Sequence, residues 1–534
     1  MKFTFKNIGK YLSVILMSGG LFACSEDIMD DINKNVDNAH DVDAKFILTD
    51  VITSTAFSNV SGDFNHYFSS YIEHEVGVYN QLWNAETRIQ EVYSSTTFNN
   101  VWGNLYSTLK NARIIIDKCS DTGTQPGNYT TKGMAEVLAA INSALITDAF
   151  GDAPFSEAAL AKLDNGKPQF MTPKIDTQKD IYTGIINYLD AAIEDLPKGD
   201  THVTGGPDSQ DILFGGDDKA VDKWLKLAYG LKARYLMHTL NKAENQTEVL
   251  NEVLKCIEKS AQNADEQATF AKYDGSSNKN PCYDFFDSRE YLAASQSLFD
   301  KLNERNDPRI SRVYVTALDK NSKGRQINNK DDESLLLAPN GKPVQEQRKY
   351  STSIFGFASD APTHLLSYHE LLFIKAEALI RLTRKDEAET ALKDAIKAAF
   401  ANMEISVASG LKQTGYAITK NSSAALTASD AENYFINSVK GKFDADPLKE
   451  TMIQKYLGMW GSNGETTECY NDVRRLQAEG KSLKDFYGFK NEGKFPLRAP
   501  YGGDEVSSNP NVQKAYGNGQ YVFTEDVWWA GGNR

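Results

Sequence analysis

Apolar residues recur along most of this chain at intervals of three and four positions, the spacing of one face of an α-helix. Three long stretches carry such a face most clearly. Their apolar positions are Phe98, Val101, Trp102, Leu105, Leu109, Ala112, Ile116 and Cys119; Ile181, Ile185, Tyr188, Leu189, Ala192, Ile193 and Leu196; and Val221, Trp224, Leu225, Ala228, Leu231 and Tyr235. The pattern predicts a mainly α fold in which these faces form the core.

Two further periodic stretches, 365–383 and 386–400, are separated by a short polar turn, which predicts an antiparallel helix pair. Trp102-x-x-Leu105 and Trp224-x-x-Leu227 resemble the opening of a tetratricopeptide unit, although no strict period of about 34 residues runs through the chain. Long polar segments separate the predicted helices. We therefore expect a helical-repeat, tetratricopeptide-like scaffold with long irregular loops and few short strands.

The first residues carry targeting information. Lys2, Lys6 and Lys10 precede an apolar stretch over 11–22, which is too short to span a bilayer and predicts a cleaved secretory signal over residues 1–23. The stretch ends in Leu-Phe-Ala-Cys24, which resembles a bacterial lipobox. Cys24 is therefore the predicted lipid attachment site, because several acyl chains hold a protein to a membrane without a spanning helix. An ordinary secretory signal is the alternative.

Residues 24–43 form an acidic segment with seven carboxylates and the single base Lys34. Such a segment buries too little apolar surface to fold, so we expect an extended tether. Its position directly after Cys24 resembles the surface-export signal of Bacteroidetes lipoproteins. A solvated spacer is an equally compatible interpretation.

The overall charge argues against a nucleic-acid partner. The chain carries a formal net charge of −14, and removal of the three lysines in residues 1–23 leaves −17. With 41% hydrophobic residues, the segment 44–534 has ample material for one large domain or two intimate lobes. Four cysteines follow Cys24 at wide spacings that favour no zinc site and require no disulfide.

Known catalytic motifs are incomplete in this chain. His369-Glu370 begins like a zincin helix, but Phe373 stands where the second histidine is needed. The glycines at 410 and 415 have phosphate-loop spacing but are followed by Tyr416 where lysine is required. These motifs therefore support neither metalloprotease nor nucleotide chemistry, and we predict no cofactor and no metal. A carboxylate pair among 72 acidic residues could still support hydrolysis, so an exported hydrolase remains an alternative.

Two segments combine aromatic rings with amide or guanidinium groups, the groups that stack on sugar faces and bond their hydroxyls. The alternative for both segments is simple core packing. Segment 67–93 supplies the predicted ligand-binding residues Tyr67, Tyr79, Trp83, Asn84 and Arg88, and segment 280–289, whose adjacent aromatics cannot all face inward, supplies Tyr283 and Phe286.

Several local strings together resemble the SusD/RagB family of nutrient-binding outer-membrane lipoproteins of Bacteroidetes. The resemblance covers most of the segment after residue 43, and the string beginning at Phe150 is the most specific. The strings are Trp102-Gly-Asn-Leu-Tyr106, Phe150-Gly-Asp-Ala-Pro-Phe-Ser-Glu-Ala158, Asp211-Ile-Leu-Phe214, Asn306-Asp-Pro-Arg309, Leu366-Ser-Tyr-His-Glu370, Pro496-Leu-Arg498 and Trp528-Trp529.

The resemblance implies a SusD-like nutrient-binding domain over residues 44–534 that is not an enzyme. It implies a lipid-anchored protein at the outer membrane, exposed at the cell surface. Its partners would be an oligosaccharide or other oligomeric nutrient and a SusC-like TonB-dependent transporter that receives this nutrient. A protein–protein scaffold of an outer-membrane complex is the second alternative function.

Overall fold

The structure is a computed structural model that describes residues 42–89, 96–160, 163–164, 167–215, 219–317, 324–328, 331–413, 415–419, 422–517 and 521–534. The predicted signal, Cys24 and nearly all of the predicted tether lie outside these residues. Ala44–Arg534 forms one compact unit, and this unit is described below.

Most of the described residues in this unit lie in helices, as the sequence pattern predicts. The α-helices are α1 (Ala44–Ser54), α2 (Asp63–Tyr71), α3 (Asn80–Glu86), α4 (Thr96–Cys119), α5 (Tyr129–Phe150), α6 (Gln178–Asp195), α7 (Ala220–His238), α8 (Gln246–Glu258), α9 (Pro281–Arg289), α10 (Gln296–Glu304), α11 (Ile310–Val313), α12 (Tyr368–Arg381), α13 (Lys385–Leu411), α14 (Ala428–Tyr434), α15 (Lys440–Ala445), α16 (Pro447–Gly458), α17 (Thr466–Ala478), α18 (Gly503–Ser508) and α19 (Pro510–Tyr516).

Short strands occur only as isolated antiparallel pairs within the described ranges. The pairs are β1 (Glu75–Gly77) with β7 (Leu292–Ala294), β2 (Ala153–Pro154) with β5 (Ile175–Asp176), β3 (Leu163–Asp164) with β4 (Lys167–Pro168), β6 (Ala268–Phe270) with β10 (Thr363–Leu366), and β8 (Tyr314–Val315) with β9 (Thr352–Ser353). The predicted mainly α fold with few short strands is confirmed. The β1–β7 pair joins the segment before α3 to the segment after α9.

Successive helices pack as neighbours, α4 on α5, α5 on α6, and α7 on α8. Helix α5 is the central element, and its apolar stretch is long enough to cross a membrane but is completely buried inside the described part of the protein. A helix that is apolar on all sides in a globular fold belongs in the core, since every face meets another element. The length and composition of α5 are therefore those of a core helix.

The predicted antiparallel pair corresponds to α12 and α13, which pack closely on each other. The pair forms because Ala388, Ala391 and Ala395 are small and buried at the helix–helix contact. The second helix does not end at Phe400 but runs to Leu411. Its final turns bury Val407 in the main hydrophobic core. This additional apolar burial stabilises the longer helix.

The C-terminal segment wraps back over the end of α5. Tyr501 donates its hydroxyl proton to the carbonyl of Asp152 at 2.6 Å, and the Arg498 guanidinium donates to the carbonyl of Phe150. Gly151 permits this approach, because its φ of 77° favours glycine and a Cβ atom there would meet the Arg498 side chain. Trp529 is fully buried and donates its indole proton to Asp148 at 2.9 Å.

A network of buried ion pairs joins α12, α16 and α17. Arg475 makes two parallel hydrogen bonds to Glu377, at 2.6 and 2.8 Å, and a third to Asp472 at 2.8 Å. Lys455 pairs with the other oxygen of Asp472 at 2.6 Å. The side chains of Arg475 and Glu377 are each only 1% exposed. Each charge is therefore stabilised mainly by its partner and not by water.

The four cysteines after Cys24 are all free thiols in the structure. Cys119, Cys256 and Cys469 are buried, and Cys282 is half-buried. Burial raises the pKa of the Cys119 thiol to about 12, so it is protonated at neutral pH. These cysteines contribute to packing, as small apolar side chains do.

Candidate ligand-binding groove

A surface groove of about 330 Å³ lies where α2, α3 and α4 meet α9. Its size is that of a small-molecule site. Both sequence segments singled out for ligand binding contribute to it, although they are some two hundred positions apart in the chain. The lining residues are Phe57, Ser58, Gly62, Asp63, His66, Gln81, Asn100, Asn104, Pro281, Asp284, Phe285, Ser288 and Arg289.

Helix α9 presents its residues to the groove according to its helical phase. Asn280 caps its first turn by accepting from the amide of Cys282 at 2.8 Å, and Pro281 occupies the first helical position, where no amide proton is needed. Phe285 and Arg289, four positions apart, then fall on the face that lines the groove. One face of α9 therefore lines the groove, and the opposite face packs against the rest of the protein.

The predicted residues Tyr283 and Phe286 lie on the other side of α9. Both are buried; the Tyr283 hydroxyl accepts from the amide of Gln413 at 2.9 Å, and the Phe286 ring lies edge-on to Phe357 at 4.9 Å. Neither lines the groove. Their role in the structure is to hold α9 in place, and Phe285, between them, supplies the accessible ring.

An aromatic cluster gives the groove a firm flat wall. The Phe285 ring stacks on buried His66 with centroids 4.3 Å apart, and Tyr291 meets Phe285 edge-on at 6.0 Å. Arg289 lies about equally close to both rings, at 6.0 and 5.9 Å. Tyr79 extends the cluster outward, 5.3 Å from Tyr291. Because Phe285 is half-buried and stacked on His66, its ring is held in a fixed orientation at the groove.

Polar groups surround this wall. Gln81, Asn100 and Asn104 each offer both an amide donor and a carbonyl acceptor, and Asn100 and Asn104 lie one turn apart on the exposed face of α4. Partial burial raises the pKa of Asp63, while the positive charge of Arg289 opposes that shift. The groove can therefore donate to and accept from several hydroxyl groups at once.

Below the His66–Phe285 pair lies an enclosed cavity of about 30 Å³, enough room for about two water molecules. His66 also borders this cavity, and burial lowers its pKa to about 4, so the ring is neutral at pH 7. Glu75 faces the same cavity, and burial raises its pKa to about 7 despite hydrogen bonds from Trp460 and Ser353. The wall of the groove therefore backs onto a small, mainly apolar cavity that two buried titratable side chains, His66 and Glu75, also border.

Two of the predicted binding residues have structural partners. Tyr67 is buried and packs edge-on against Phe98 at 5.0 Å. Arg88 donates to the carbonyl of Tyr71 at 2.8 Å, and its guanidinium lies 5.6 Å from the ring of Phe495. Neither side chain lines the groove.

The other predicted residues of the first segment lie nearer the surface. Tyr79 is 51% exposed and joins the aromatic cluster beside the groove. Trp83 is half-buried and donates its indole proton to the carbonyl of Pro343 at 3.1 Å, which directs it toward another loop. Asn84 is half-buried on α3 and does not line the groove.

Sequence reasoning missed the contributions of Asp63 and of the Asn100–Asn104 pair. The asparagine pair did carry a local signal, because two amides four positions apart lie opposite the apolar face that includes Val101 and Leu105. Asp63 carried none, since only the folded chain brings it to Arg289.

Asp148, His238 and Glu468 form the one cluster of metal-ligating groups close enough to share an ion within the described part of the chain. His238 approaches Glu468 at 2.8 Å through Nε2 and Asp148 at 3.2 Å through Nδ1. Burial alone would lower the pKa of His238, but the two carboxylates outweigh it and raise the pKa to about 9. A protonated imidazole therefore already balances these carboxylates, and the cluster fastens α5, α7 and α17 together.

This cluster predicts a specific pH dependence of stability. Because the folded pKa of His238 lies above its unfolded value of about 6.5, its stabilising contribution is complete below pH 6.5 and disappears as the pH rises through about 9. We expect the difference in unfolding free energy between the protein and His238→Gln, on the order of 3 kcal/mol at pH 6, to shrink toward pH 10. Urea titrations at several pH values measure it.

The control is His202→Gln, because His202 pairs with the Thr204 hydroxyl at 2.9 Å and not with a carboxylate. A His238→Gln penalty that stays constant from pH 6 to pH 10 would contradict this interpretation of the cluster.

The chain thus combines a mainly helical scaffold with an open groove that has an aromatic wall and several amides. Residues 37–502 match the sequence model of a SusD-like family described as "starch-binding associating with outer membrane". The match covers most of the chain, which therefore belongs to the SusD-like family.

Solved structures agree with this assignment. A SusD/RagB family protein from Bacteroides thetaiotaomicron is 52% identical, with a TM-score of 0.85 over 92% of this chain and 100% of that one. A SusD homolog from Bacteroides fragilis (19% identity, TM-score 0.66, 92% and 100% coverage) and a chitin-binding protein (19%, 0.66, 91% and 99%) share the fold. No curated protein sequence matches the chain.

Proposed function

We propose that this protein is a non-enzymatic receptor that captures a neutral glycan in the groove between α2, α3, α4 and α9. The observation that carries the proposal is the partly buried Phe285 ring, which stacks on His66 and which lines the groove together with several polar groups. Pyranose rings have an apolar face that stacks on such a ring and equatorial hydroxyls that bond to amides and charged groups at its edge. The family description and the chitin-binding structural neighbour support glycans as the ligand class.

The charge of the groove supports a neutral rather than an acidic sugar. Two carboxylates, Asp63 and Asp284, face one guanidinium, Arg289. An acidic sugar would add a negative charge to a groove in which carboxylates already outnumber the guanidinium. The resulting repulsion in a partly desolvated site would weaken binding. A neutral oligosaccharide meets no such penalty.

The test is a calorimetric and affinity-gel screen of the purified protein against starch-, chitin- and plant-derived oligosaccharides, repeated with Phe285→Ala. We expect at least one neutral oligosaccharide to bind, and Phe285→Ala to weaken it about 10-fold or more. Phe170→Ala is the matched control, because Phe170 is exposed but does not line the groove. Absence of binding, or equal loss in both variants, would contradict the proposal.

The same preparations separate a receptor from the hydrolase alternative. A receptor returns each oligosaccharide unchanged after prolonged incubation. Release of new reducing ends that is abolished by Asp63→Asn would show that the groove cleaves its ligand and would overturn the non-enzymatic part of the proposal.

We also propose that Cys24 carries the lipid anchor and that residues 25–43 tether the domain at the outer membrane, above a TonB-dependent transporter to which the glycan is delivered. The support is the lipobox-like sequence, the acidic segment after it and the family's association with the outer membrane. Copurification of a transporter with the anchored protein tests this partner. The scaffold alternative also predicts copurification, but it predicts that deletion of the gene for this protein leaves glycan uptake unchanged.

We expect Cys24→Ala to abolish acylation and release the protein from membranes, because the acyl chains on Cys24 are the proposed link to the membrane. Metabolic labelling with a fatty acid and fractionation measure both effects. Cys282→Ala is the control, and full membrane retention of Cys24→Ala would contradict the assigned anchor.

A further inference from the structure

A second pocket of about 350 Å³ lies on α6, where the C-terminal segment crosses it beside the residues after α7. It shares no lining residue with the groove. Ile186 and Ala243 contribute apolar surface, and Trp528 forms an aromatic wall. Its volume falls within the range of small-molecule sites.

The Trp528 ring is held in place by its neighbour in the chain. Trp529 is fully buried and donates to Asp148, while Trp528 in the same short 3₁₀ turn stays half-buried and faces the pocket. The backbone amide of Trp529 also donates to Gln178 at the start of α6, at 3.0 Å. The indole is therefore positioned on a fixed backbone, as a stacking platform requires.

Two lysines, Lys179 and Lys242, stand at this pocket and give it a positive charge. Within the described ranges, neither has a carboxylate within 4 Å, and no acidic residue lines the pocket. Lys198 and Lys232, by contrast, are paired with Asp195 and Asp190. In a chain of net charge −14, two unpaired lysines beside one indole mark a locally positive site.

The arrangement matches a ligand that combines an apolar ring face with an anionic group. The Lys242 ammonium lies 5.7 Å from the centre of the Trp528 ring. An anionic group of a sugar that binds this lysine would therefore bring the sugar ring next to the indole. Asn187 and Thr183 add groups for sugar hydroxyls. The groove has the opposite balance of charge, because two carboxylates and one arginine line it.

We propose that this pocket is a second glycan site, which binds a sugar unit carrying a carboxylate or a sulfate. It adds to the groove and does not depend on it. A polysaccharide with both neutral and acidic units would engage the two sites with different parts of its chain, which raises the apparent affinity for long chains above that for either fragment.

The test measures binding of trigalacturonate, a chondroitin sulfate tetrasaccharide and neutral maltotriose to the purified protein at low salt. The variants are Lys179→Gln with Lys242→Gln, Trp528→Phe, Trp528→Ala and the groove variant Phe285→Ala. The control replaces Lys110 and Lys514, which are exposed and do not line the pocket, by glutamine. Melting temperatures establish that each variant is folded.

We expect one of the acidic oligosaccharides to bind, and the pocket double-lysine variant to weaken it at least 10-fold, while the control double variant changes it less than 2-fold. Trp528→Phe should retain most of the affinity and Trp528→Ala should lose it. Phe285→Ala should leave acidic binding unchanged, which separates failure of this site from failure of the groove. Preference for trigalacturonate or for the sulfated probe assigns the anionic group. No acidic binding, or acidic binding that only Phe285→Ala weakens, would overturn the second site.

Discussion

Replacement of Arg475 by methionine is expected to lower the free energy of unfolding by about 3–5 kcal/mol, the cost of removing one partner from a buried ion pair. Arg475 provides both bonds of a bidentate pair with Glu377, and removing it leaves that buried carboxylate with a hydrogen bond from Arg381 and a longer-range interaction with Lys455. Arg475, Arg381 and further cations hold the pKa of Glu377 well below its usual range even though burial would raise it. Urea unfolding at pH 7 measures the loss.

The matched control is Arg384→Met. Arg384 also forms a two-bond pair with a glutamate, Glu387, but both side chains are about half exposed, so the expected loss is only a small fraction of the loss in Arg475→Met. Equal losses in the two variants would show that the buried network of α12, α16 and α17 contributes no more than a surface pair does.

Replacement of Arg289 by alanine is expected to weaken glycan binding about 10- to 100-fold, the equivalent of one or two charged hydrogen bonds. Arg289 is the single guanidinium of the groove and lies against the Phe285 ring. Its loss also removes the positive charge that opposes the raised pKa of Asp63, so the affinity of the variant should fall further as Asp63 takes up a proton at lower pH. Calorimetry at pH 5 and pH 7 measures both effects.

Arg348→Ala controls for the loss of positive charge near α9. Arg348 is mostly exposed and lies 3.6 Å from Glu290, but it does not line the groove. Arg289→Lys should recover only part of the affinity, because an ammonium group cannot bond two hydroxyls in one plane as a guanidinium does. Equal affinities of Arg289→Ala and the unmodified protein would remove Arg289 from the site.

Helical periodicity was sufficient to predict the class of fold and its best-defined helix pair. The buried face of a helix produces a local pattern, apolar residues at intervals of three and four positions, that can be recognised within one segment of the sequence. The end of α13 was not predictable in this way. The residues after Phe400 reach the main core through Val407, and that contact depends on segments far away in the chain.

The candidate groove was predictable only to the level of segments. Segments 67–93 and 280–289 both reach the groove, but composition could not decide which ring of Tyr283, Phe285 and Phe286 would be exposed. That choice follows from the phase of α9, which Asn280 fixes through side-chain bonds to the carbonyls of Ala361 and Ser462. Tyr67 and Arg88 have ligand-like chemistry in sequence, yet Phe98 and Tyr71 partner them in the fold.

The most direct test of the proposed groove is a crystal structure of the protein with the tightest-binding neutral oligosaccharide from the screen. The proposal predicts electron density for a pyranose ring parallel to Phe285, with its hydroxyls within hydrogen-bonding distance of Arg289 and Asn100 or Asn104. Density for the same oligosaccharide at another surface, with the groove empty, would contradict it.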